Sequence, residues 1–163
     1  RITASGLVVG CRHGGDMMSS MRGVAIDPED PAGFEELDAF GSMTNGVARD
    51  GKVLVGLFTD MDTNRGRGFI VSGGAFIPFD VPGSLFTAAW DVNARGDVVG
   101  AYRDARGFHG FLWSALQFHP IDYPGAMATR AFGINARGDM VGAYTDAGGR
   151  VHGFVTSRSA KED

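Results

Sequence analysis

The stretch DVNARGDVVGAY (Asp91–Tyr102) decides the fold, because it returns 42 residues later as GINARGDMVGAY (Gly133–Tyr144). Looser copies lie at residues 46–56 and 2–10. Self-similarity at a fixed period of 20 to 50 residues is the signature of an architecture built from repeated units. Each copy is therefore expected to form the same small structural unit.

Two further markers keep this period. A glycine that follows Arg or His and precedes Val or Phe steps by 45, 42 and 43 residues: Arg22-Gly23-Val24, Arg67-Gly68-Phe69, His109-Gly110-Phe111 and His152-Gly153-Phe154. An aspartate that closes an apolar run steps by 42 twice: Asp38, Asp80 and Asp122. Three independent markers with one spacing predict a repeat of 42–45 residues.

Each period holds four apolar runs of strand length, rich in Val, Ile, Phe and Tyr. In the clearest copy they are residues 97–102, 108–113, 117–121 and 129–134. Asn93–Gly96 has a side-chain cap and a glycine for positive φ, and Pro82-Gly83 suits a tight turn. Residues 28–40, with two prolines and Gly33, are expected to form a loop.

Four antiparallel strands per 42–45 residues predict an all-β, β-propeller-like fold of four-stranded blades. The chain is expected to be a single repeat domain over residues 1–163, with about 3.5 to 4 blades. The approximate repeats are residues 1–45, 46–90, 91–132 and a partial repeat 133–163.

The composition narrows the function classes. The 163 residues are 44% hydrophobic and 21% charged, within the globular range, and the net charge is −4. An acidic chain has no cation excess for phosphates, so no nucleic-acid partner is expected. No apolar run reaches the roughly 18 residues of a membrane helix, so no membrane insertion is expected.

The pattern Gly-Ile-Asn-x-x-Gly-x-x-Val-Gly-x-Tyr-x-Asp, then His-Gly-Phe-Leu, then Ile-Asp-x-Pro-Gly-Ala resembles the bacterial "probable extracellular repeat" (HAF-type) family. The resemblance covers residues 47–154 and, more weakly, residues 1–46. It implies an extracellular or periplasmic repeat protein with a propeller fold, and it brings no catalytic residues. The segment Cys11–Ser20 departs from the pattern.

Two histidines stand near aspartates across predicted hairpins: His109 with Asp104, and His152 with Asp146. Imidazole beside a carboxylate can ligate a metal or act as an oriented base. Arg67 and Arg22 replace the histidine in the other repeats, which favours a contact that ties the blade together. The repeated aspartates are expected to be hydrogen-bond acceptors, or an acidic cluster if they face a central channel.

Two segments are weak metal candidates. Asp60, Asp62 and Asn64 place oxygen ligands at alternate positions, as the start of a calcium loop does, but Arg65 stands where a glycine is expected. Cys11, His13 and Met17 gather soft donors that suit reduced copper. A polar hairpin tip and an irregular loop are the respective alternatives. No cofactor is expected, the alternative being a divalent metal such as calcium or zinc.

A ligand is expected where the blades converge at one end of the ring. Residues at which one repeat departs from its siblings are the candidates, because packing explains the repeated ones. These are His13, Asp16, Met17, Asp62, Asn64, His119, Tyr123 and Arg130.

The leading functional hypothesis is a non-enzymatic extracellular or periplasmic binding or scaffolding module, with a glycan or an envelope component as ligand. The sequence lacks the local motifs of Ser hydrolases, zinc proteases and phosphate-binding loops. The alternative is a metal-assisted hydrolase or lyase acting on a polysaccharide or ester, with His109, His152, Asp104 and Asp146 as catalytic residues. A partial ring also predicts a homo-oligomer, most simply a dimer that completes about seven or eight blades.

Overall fold

A computed structural model describes residues 1–15 and 20–157, and this part of the chain is all-β. It contains fourteen strands: β1 (Val8–Arg12), β2 (Arg22–Asp27), β3 (Asp30–Glu36), β4 (Met43–Val47), β5 (Val53–Asp60), β6 (Arg65–Ser72), β7 (Ala75–Phe79), β8 (Phe86–Val92), β9 (Val98–Arg103), β10 (Phe108–Ser114), β11 (Gln117–Ile121), β12 (Ala128–Ile134), β13 (Met140–Thr145) and β14 (Val151–Thr156). The described part of the chain has no helix long and apolar enough to cross a membrane.

The strands form four antiparallel sheets in chain order. Sheet I is β1-β2-β3, sheet II is β4-β5-β6-β7, sheet III is β8-β9-β10-β11 and sheet IV is β12-β13-β14. Residues Arg1 and Ile2 stand where sheet I would have its first strand, since Ile2 bridges to Val8. Over the described ranges the four sheets pack together without forming a closed propeller.

The strand and turn predictions for the clearest copy are confirmed within two residues, as β9 to β12 show. The Asn93–Gly96 turn also has its predicted chemistry: Asn93 Oδ1 accepts the backbone N–H groups of Arg95 and Asp97, and Gly96 has a φ of 81°. The sequence prediction, however, began each repeat at this turn and therefore placed β12 in the same unit as β9 to β11. In the structure each sheet begins one strand before the turn, because the turn joins its first two strands.

The glycine after the valines of the first repeated stretch, Gly100, and the phenylalanine of the second marker, Phe111, have a common packing role. Phe111 on β10 lies directly opposite Gly100 on β9, and Phe69 opposite Gly56 repeats the arrangement in sheet II. A Cβ at Gly100 would come within 2.5 Å of the Phe111 ring. The glycine therefore leaves room for a phenylalanine ring over the neighbouring strand, which explains why both markers share one period.

Each sheet covers its predecessor with its first strand. The strand β8 packs on β5 and β6, and β12 packs on β9 and β10. The main buried cluster lies between sheets II and III: Ala48, Val55, Ile70, Val81, Ala89, Val92, Val98 and Phe111. A smaller cluster joins sheets I and II: Val9, Ala25, Val47 and Leu54. The core is thus a set of similar interfaces between successive sheets.

Sheet IV lacks a following sheet among the described residues. Val99 of sheet III is 0% exposed, whereas Val141 at the same repeat position of sheet IV is 49% exposed. The same contrast holds for Phe111, which is fully buried, and Phe154, which is partly exposed. Positions that are equivalent in sequence therefore differ in burial.

The loop predicted for residues 28–40 is wrong over most of its length, because residues 30–36 form β3. This strand pairs with β2, with Val24 opposite Glu36 and Ala25 opposite Glu35. Pairing with a neighbouring strand outweighs the local turn preference of the prolines and glycine here. Sheet I thereby gains its outer strand.

Candidate functional site

The first strands of the sheets end around a common cavity of about 460 Å³. Its lining comes from the segment that precedes sheet I and bridges to it, and from the first strands and following turns of sheets II, III and IV: Arg1, Ile2, Thr3 and Ala4; Val47 and Arg49; Asp91, Val92, Asn93 and Ala94; Ile134 and Ala136. Ligand pockets of proteins fall in this size range and favour such meeting points. We call this space the axial cavity.

The pair Arg1–Asp91 forms one polar wall of the axial cavity. The Arg1 guanidinium contacts Asp91 Oδ2, and the Ile134 backbone N–H donates to the same oxygen at 3.0 Å. A second cavity of about 420 Å³ also has Arg1, Asp91 and Ile134 in its lining, together with residues of sheet IV. One carboxylate thus joins sheets I, III and IV.

Asp91 is the buried titratable group of this site. Its side chain is 7% exposed, and burial raises its pKa, while the Ile134 N–H and the Arg1 guanidinium act in the opposite direction. A register shift in the ladder between β8 and β9 lies directly before it, between Ala89 and Asp91. Such bulges redirect side chains near functional sites.

The rim of the axial cavity is formed by the turns that follow the first strands. Asn93 Nδ2 donates to the Asn135 carbonyl oxygen at 3.2 Å, and Arg95 Nη1 donates to the Ala136 carbonyl oxygen at 2.5 Å. These bonds hold the turns of sheets III and IV together. Arg49 is exposed on the rim of sheet II and has no ion-pair partner among the described residues.

Arg1, Arg49 and Asp91 were not among the predicted site residues. Asp91 could have been found by the rule of departures, since Gly46 and Gly133 stand at its repeat position. A side chain at Gly46 would meet the backbone of Trp90 and Asp91, so packing restricts this repeat position of sheet II to glycine. Arg1 has no comparable signal, because only the packing of four sheets brings it to Asp91.

The predicted pair His109–Asp104 is present, and it includes a second carboxylate. His109 Nε2 lies 3.2 Å from Asp104 Oδ1, and His109 Nδ1 lies 2.8 Å from Asp122 Oδ1. In sheet II, Arg67 bridges Asp60 and Asp80 at 3.0 and 2.8 Å in the same way. The His109 and Arg67 side chains each tie the hairpin of their own sheet to the end of the outer strand.

These ties match the structural reading of the repeated histidines and aspartates. Asp80 binds Arg67 and Asp122 binds His109, each within its own sheet, and neither aspartate lines the axial cavity, so this pair does not meet the condition for an acidic cluster at a central channel. The Arg106 backbone N–H, with the Arg106 and His109 side chains, lowers the pKa of Asp104 to about 2, although desolvation opposes this. The Asp104 carboxylate is thus stabilised as an anion.

In sheet IV, His152 Nε2 lies 2.8 Å from Asp146 Oδ2. This bond, with the backbone N–H groups of Arg150 and Gly148, lowers the pKa of Asp146. Among the described residues His152 Nδ1 has no hydrogen-bond partner, unlike His109 Nδ1. The tie of sheet IV is therefore half formed.

The segment Asp60–Asn64 is a polar hairpin tip. Asp60 Oδ1 accepts the backbone N–H groups of Asp62 and Thr63 at 3.1 and 3.0 Å, and Asn64 has a φ of 51°. The Thr63 N–H and the Arg67 guanidinium lower the pKa of Asp60. Its carboxylate is engaged in the turn and in the tie, which leaves the calcium reading without structural support.

The soft-donor candidates are described only in part. Cys11 Sγ lies 3.2 Å from His13 Nε2 in an exposed contact. Met17 and Asp16 lie outside the described residues. Within residues 1–15 and 20–157, no three His, Cys, Asp or Glu side chains are grouped to hold a metal ion.

The structure does not gather the three predicted ligand residues of the third repeat. His119 is exposed on β11, Tyr123 stacks on Tyr144 with ring centroids 3.7 Å apart, and Arg130 lies 4.2 Å from the Phe108 centroid. None of them lines the axial cavity. Predicted residues Asp62, Asn64 and His13 are also absent from its lining.

Comparison with known proteins finds no matching protein family, no matching curated protein and no matching solved structure. The functional argument therefore starts from the axial cavity and its charges.

Proposed function

We propose that this protein is a non-enzymatic, β-propeller-like binding module that takes an acidic glycan segment in the axial cavity. The supporting observation is that residues 1–4 and three sheets contribute to one cavity, and that two arginines but one carboxylate line it. Arg1 neutralises Asp91, which leaves the Arg49 guanidinium for an anionic ligand. Guanidinium groups recognise carboxylates through two parallel hydrogen bonds.

The cavity also has groups suited to sugar hydroxyls and ring faces. Thr3 supplies a hydroxyl group and Arg49 a guanidinium group, and Val47, Val92 and Ile134 supply apolar surface. Placed polar groups fix the orientation of a bound small molecule, and apolar surface covers its non-polar faces. A uronic acid fits this combination of one carboxylate and several hydroxyls.

The competing reading, a metal-assisted hydrolase or lyase, has less support. Both ring nitrogens of His109 are within 3.2 Å of carboxylates, and His152 and Asp146 lie in another sheet. These four residues tie strands within their own sheets rather than meeting around a reacting atom. A binding function does not require these four residues to lie close together.

The remaining sequence-based predictions are part of this proposal. The family resemblance supports an extracellular or periplasmic location, where acidic polysaccharides occur. The homo-oligomer stays a prediction, supported by the exposure of Val141 and Val155 on sheet IV. Light scattering at micromolar concentration tests it, since a mass of about 17.2 kDa would contradict it.

The proposal is tested by calorimetric titration with trigalacturonic acid and with its methyl ester, in which each carboxylate is replaced by an uncharged ester group. We expect binding of the acid, weaker binding of the ester, and no chain scission. Arg49→Ala should weaken binding of the acid by roughly 10-fold or more, since a hydrogen bond to a charged group contributes about 1.5–3 kcal/mol. The matched control is Arg103→Ala, which removes an exposed arginine outside the cavity lining.

Four results would contradict the proposal. Equal affinity for acid and ester would remove the role of charge. Unchanged binding by Arg49→Ala, or equal loss in Arg103→Ala, would remove the role of the axial cavity. Scission of the trisaccharide would support the alternative, that the protein is an enzyme.

A further inference from the structure

Tyr123 and Tyr144 form the closest ring stack among the described residues. Their ring centroids lie 3.7 Å apart, and the ring planes differ by 3°. Aromatic pairs usually prefer offset or edge-to-face arrangements with a larger separation, so the surrounding structure has to hold this face-to-face pair in place. Neither tyrosine lines the axial cavity.

The turn that precedes β12 places Tyr123 over Tyr144. The Tyr123 backbone N–H donates to Thr129 Oγ1 at 3.0 Å, and the Tyr123 carbonyl oxygen accepts the Ala126 N–H at 3.0 Å. Thr129 is 1% exposed and lies directly opposite Tyr144 in the ladder between β12 and β13. The backbone therefore positions both rings through one buried hydroxyl group.

The connection between sheets II and III has the same construction with one phenol fewer. The Val81 backbone N–H donates to Thr87 Oγ1 at 3.2 Å, and Thr87 lies opposite Tyr102. Val81 thus occupies the position of Tyr123, and it belongs to the buried cluster against which Tyr102 packs. Because a valine satisfies the packing at this position, the repeat does not explain the second phenol of the Tyr123–Tyr144 pair.

The two hydroxyl groups lie at the same end of the stack. The Tyr144 hydroxyl group hydrogen-bonds with that of Tyr123, and this bond raises the pKa of Tyr144. Since the rings are parallel and their hydroxyl ends coincide, the ortho carbons beside the hydroxyl groups also face each other. Ortho carbons carry unpaired electron density in a tyrosyl radical, and they are the atoms that join when two such radicals couple. Tyr123 is 40% exposed, so an oxidant in solvent reaches one of the two rings.

We propose that Tyr123 and Tyr144 form an oxidative cross-linking site, which a haem peroxidase with hydrogen peroxide converts to dityrosine. Each phenol gives up one electron and its hydroxyl proton, and one molecule of hydrogen peroxide takes both electrons and both protons to become two molecules of water. A carbon–carbon bond then forms between the two ortho carbons. The hydrogen on each joined carbon moves to the phenolic oxygen as a proton, which restores both aromatic rings. The new bond ties the connection between sheets III and IV to β13.

Contact between the rings before oxidation favours coupling within one chain. Holding two reacting groups together converts a bimolecular step into a unimolecular one, with an effective concentration far above that of a micromolar protein solution. The chain has three tyrosines, and the third, Tyr102, stacks on His109 instead. One of the three possible tyrosine pairs is therefore expected to react.

The test treats the folded protein at micromolar concentration with a haem peroxidase and hydrogen peroxide, and it measures dityrosine fluorescence. Trypsin, which cleaves after Arg and Lys, then separates the three tyrosines into residues 96–103, 107–130 and 138–150. We expect peptides 107–130 and 138–150 to be joined, with the loss of the mass of two hydrogen atoms.

Three variants that each remove one phenol complete the test. Tyr123→Phe and Tyr144→Phe should each lower the dityrosine fluorescence roughly 10-fold or more, since neither leaves a stacked pair of phenols. Tyr102→Phe is the matched control and should keep the wild-type yield. Each change removes only a hydroxyl group, so a wild-type circular dichroism spectrum shows that a lost yield reports the chemistry and not the fold.

Four results would overturn the proposal: no dityrosine in the wild-type protein, a link that includes residues 96–103, a product that joins two chains, or a wild-type yield from Tyr123→Phe. The proposal does not rest on glycan binding, because neither tyrosine lines the axial cavity. The two experiments can therefore fail separately.

Discussion

Replacing Phe111 and Phe154 separately by alanine compares two positions that the sequence makes equivalent. Phe111 is 0% exposed and packs against Phe79 and Phe118, with ring centroids 6.2 and 5.7 Å away. Phe154 occupies the same repeat position on β14 and is partly exposed. We expect Phe111→Ala to destabilise the protein far more than Phe154→Ala.

The size of the difference follows from burial. Removing a fully buried phenylalanine side chain costs about 3–5 kcal/mol, since the cavity adds to the lost transfer energy. The site at Phe111 has little means to collapse, because the ring lies against Gly100 in the middle of a hydrogen-bonded ladder. At Phe154, solvent already reaches the ring, so we expect about half this cost or less.

Thermal unfolding followed by circular dichroism measures both changes. For a chain of this length 1 kcal/mol corresponds to a change of about 2–4 °C in Tm, so Phe111→Ala should lower Tm by roughly 6–20 °C. Urea denaturation supplies the free energies of unfolding independently. Equal losses for the two variants would refute the argument, because they would mean that sheet IV is covered as fully as sheet III.

Three further predictions concern the ladder and the carboxylates. Gly100→Ala should lower the free energy of unfolding, measured by urea denaturation, by about 1–3 kcal/mol, since the added Cβ would overlap the Ala88 carbonyl and the Phe111 ring. The control is Gly10→Ala at the same repeat position, where the added Cβ meets open space, and this change should be near neutral. Asp91→Asn should become increasingly stabilising relative to wild type as pH rises above 3.8, because burial raises the pKa of Asp91 and its ionisation then costs native stability; equal pH profiles would contradict this. Asp104→Asn should remove a stabilising contribution that is present above pH 3.8 and is lost as pH falls towards about 2. Tm measured against pH should therefore fall less steeply below pH 3.8 in the variant than in the wild type. An unchanged slope in this acid range would contradict the prediction.

Much of the fold could be predicted because its signals are local. The Asn93 side chain caps the turn that it begins, and Gly96 supplies the positive φ, whatever surrounds them. The period of the Gly and Phe markers reflects contacts between neighbouring strands of one hairpin. By contrast, β3 was missed because its conformation depends on pairing with β2 rather than on its own prolines and glycine.

The candidate site was less predictable. The ties around His109 and Arg67 were anticipated as structural contacts, since their residues recur with the repeat. The proposed ligand residues His119 and Tyr123 were chosen by departure from the repeat, and neither lines the axial cavity. A residue that differs from its repeat siblings marks a position that packing leaves free to vary. It does not indicate which of these positions lie close together in the fold.

The amino-acid sequence by itself determined the strands other than β3, the turns and the repeated ties, because each depends on residues within one hairpin or one sheet. Only the tertiary structure decided that Arg1 meets Asp91, which lies 90 positions along the chain, and that burial raises the pKa of this carboxylate. It also decided that Val99 is buried and Val141 is exposed. The physical reason is that burial and charge pairing depend on which sheets are neighbours, and identical repeats acquire different neighbours at different positions in the stack.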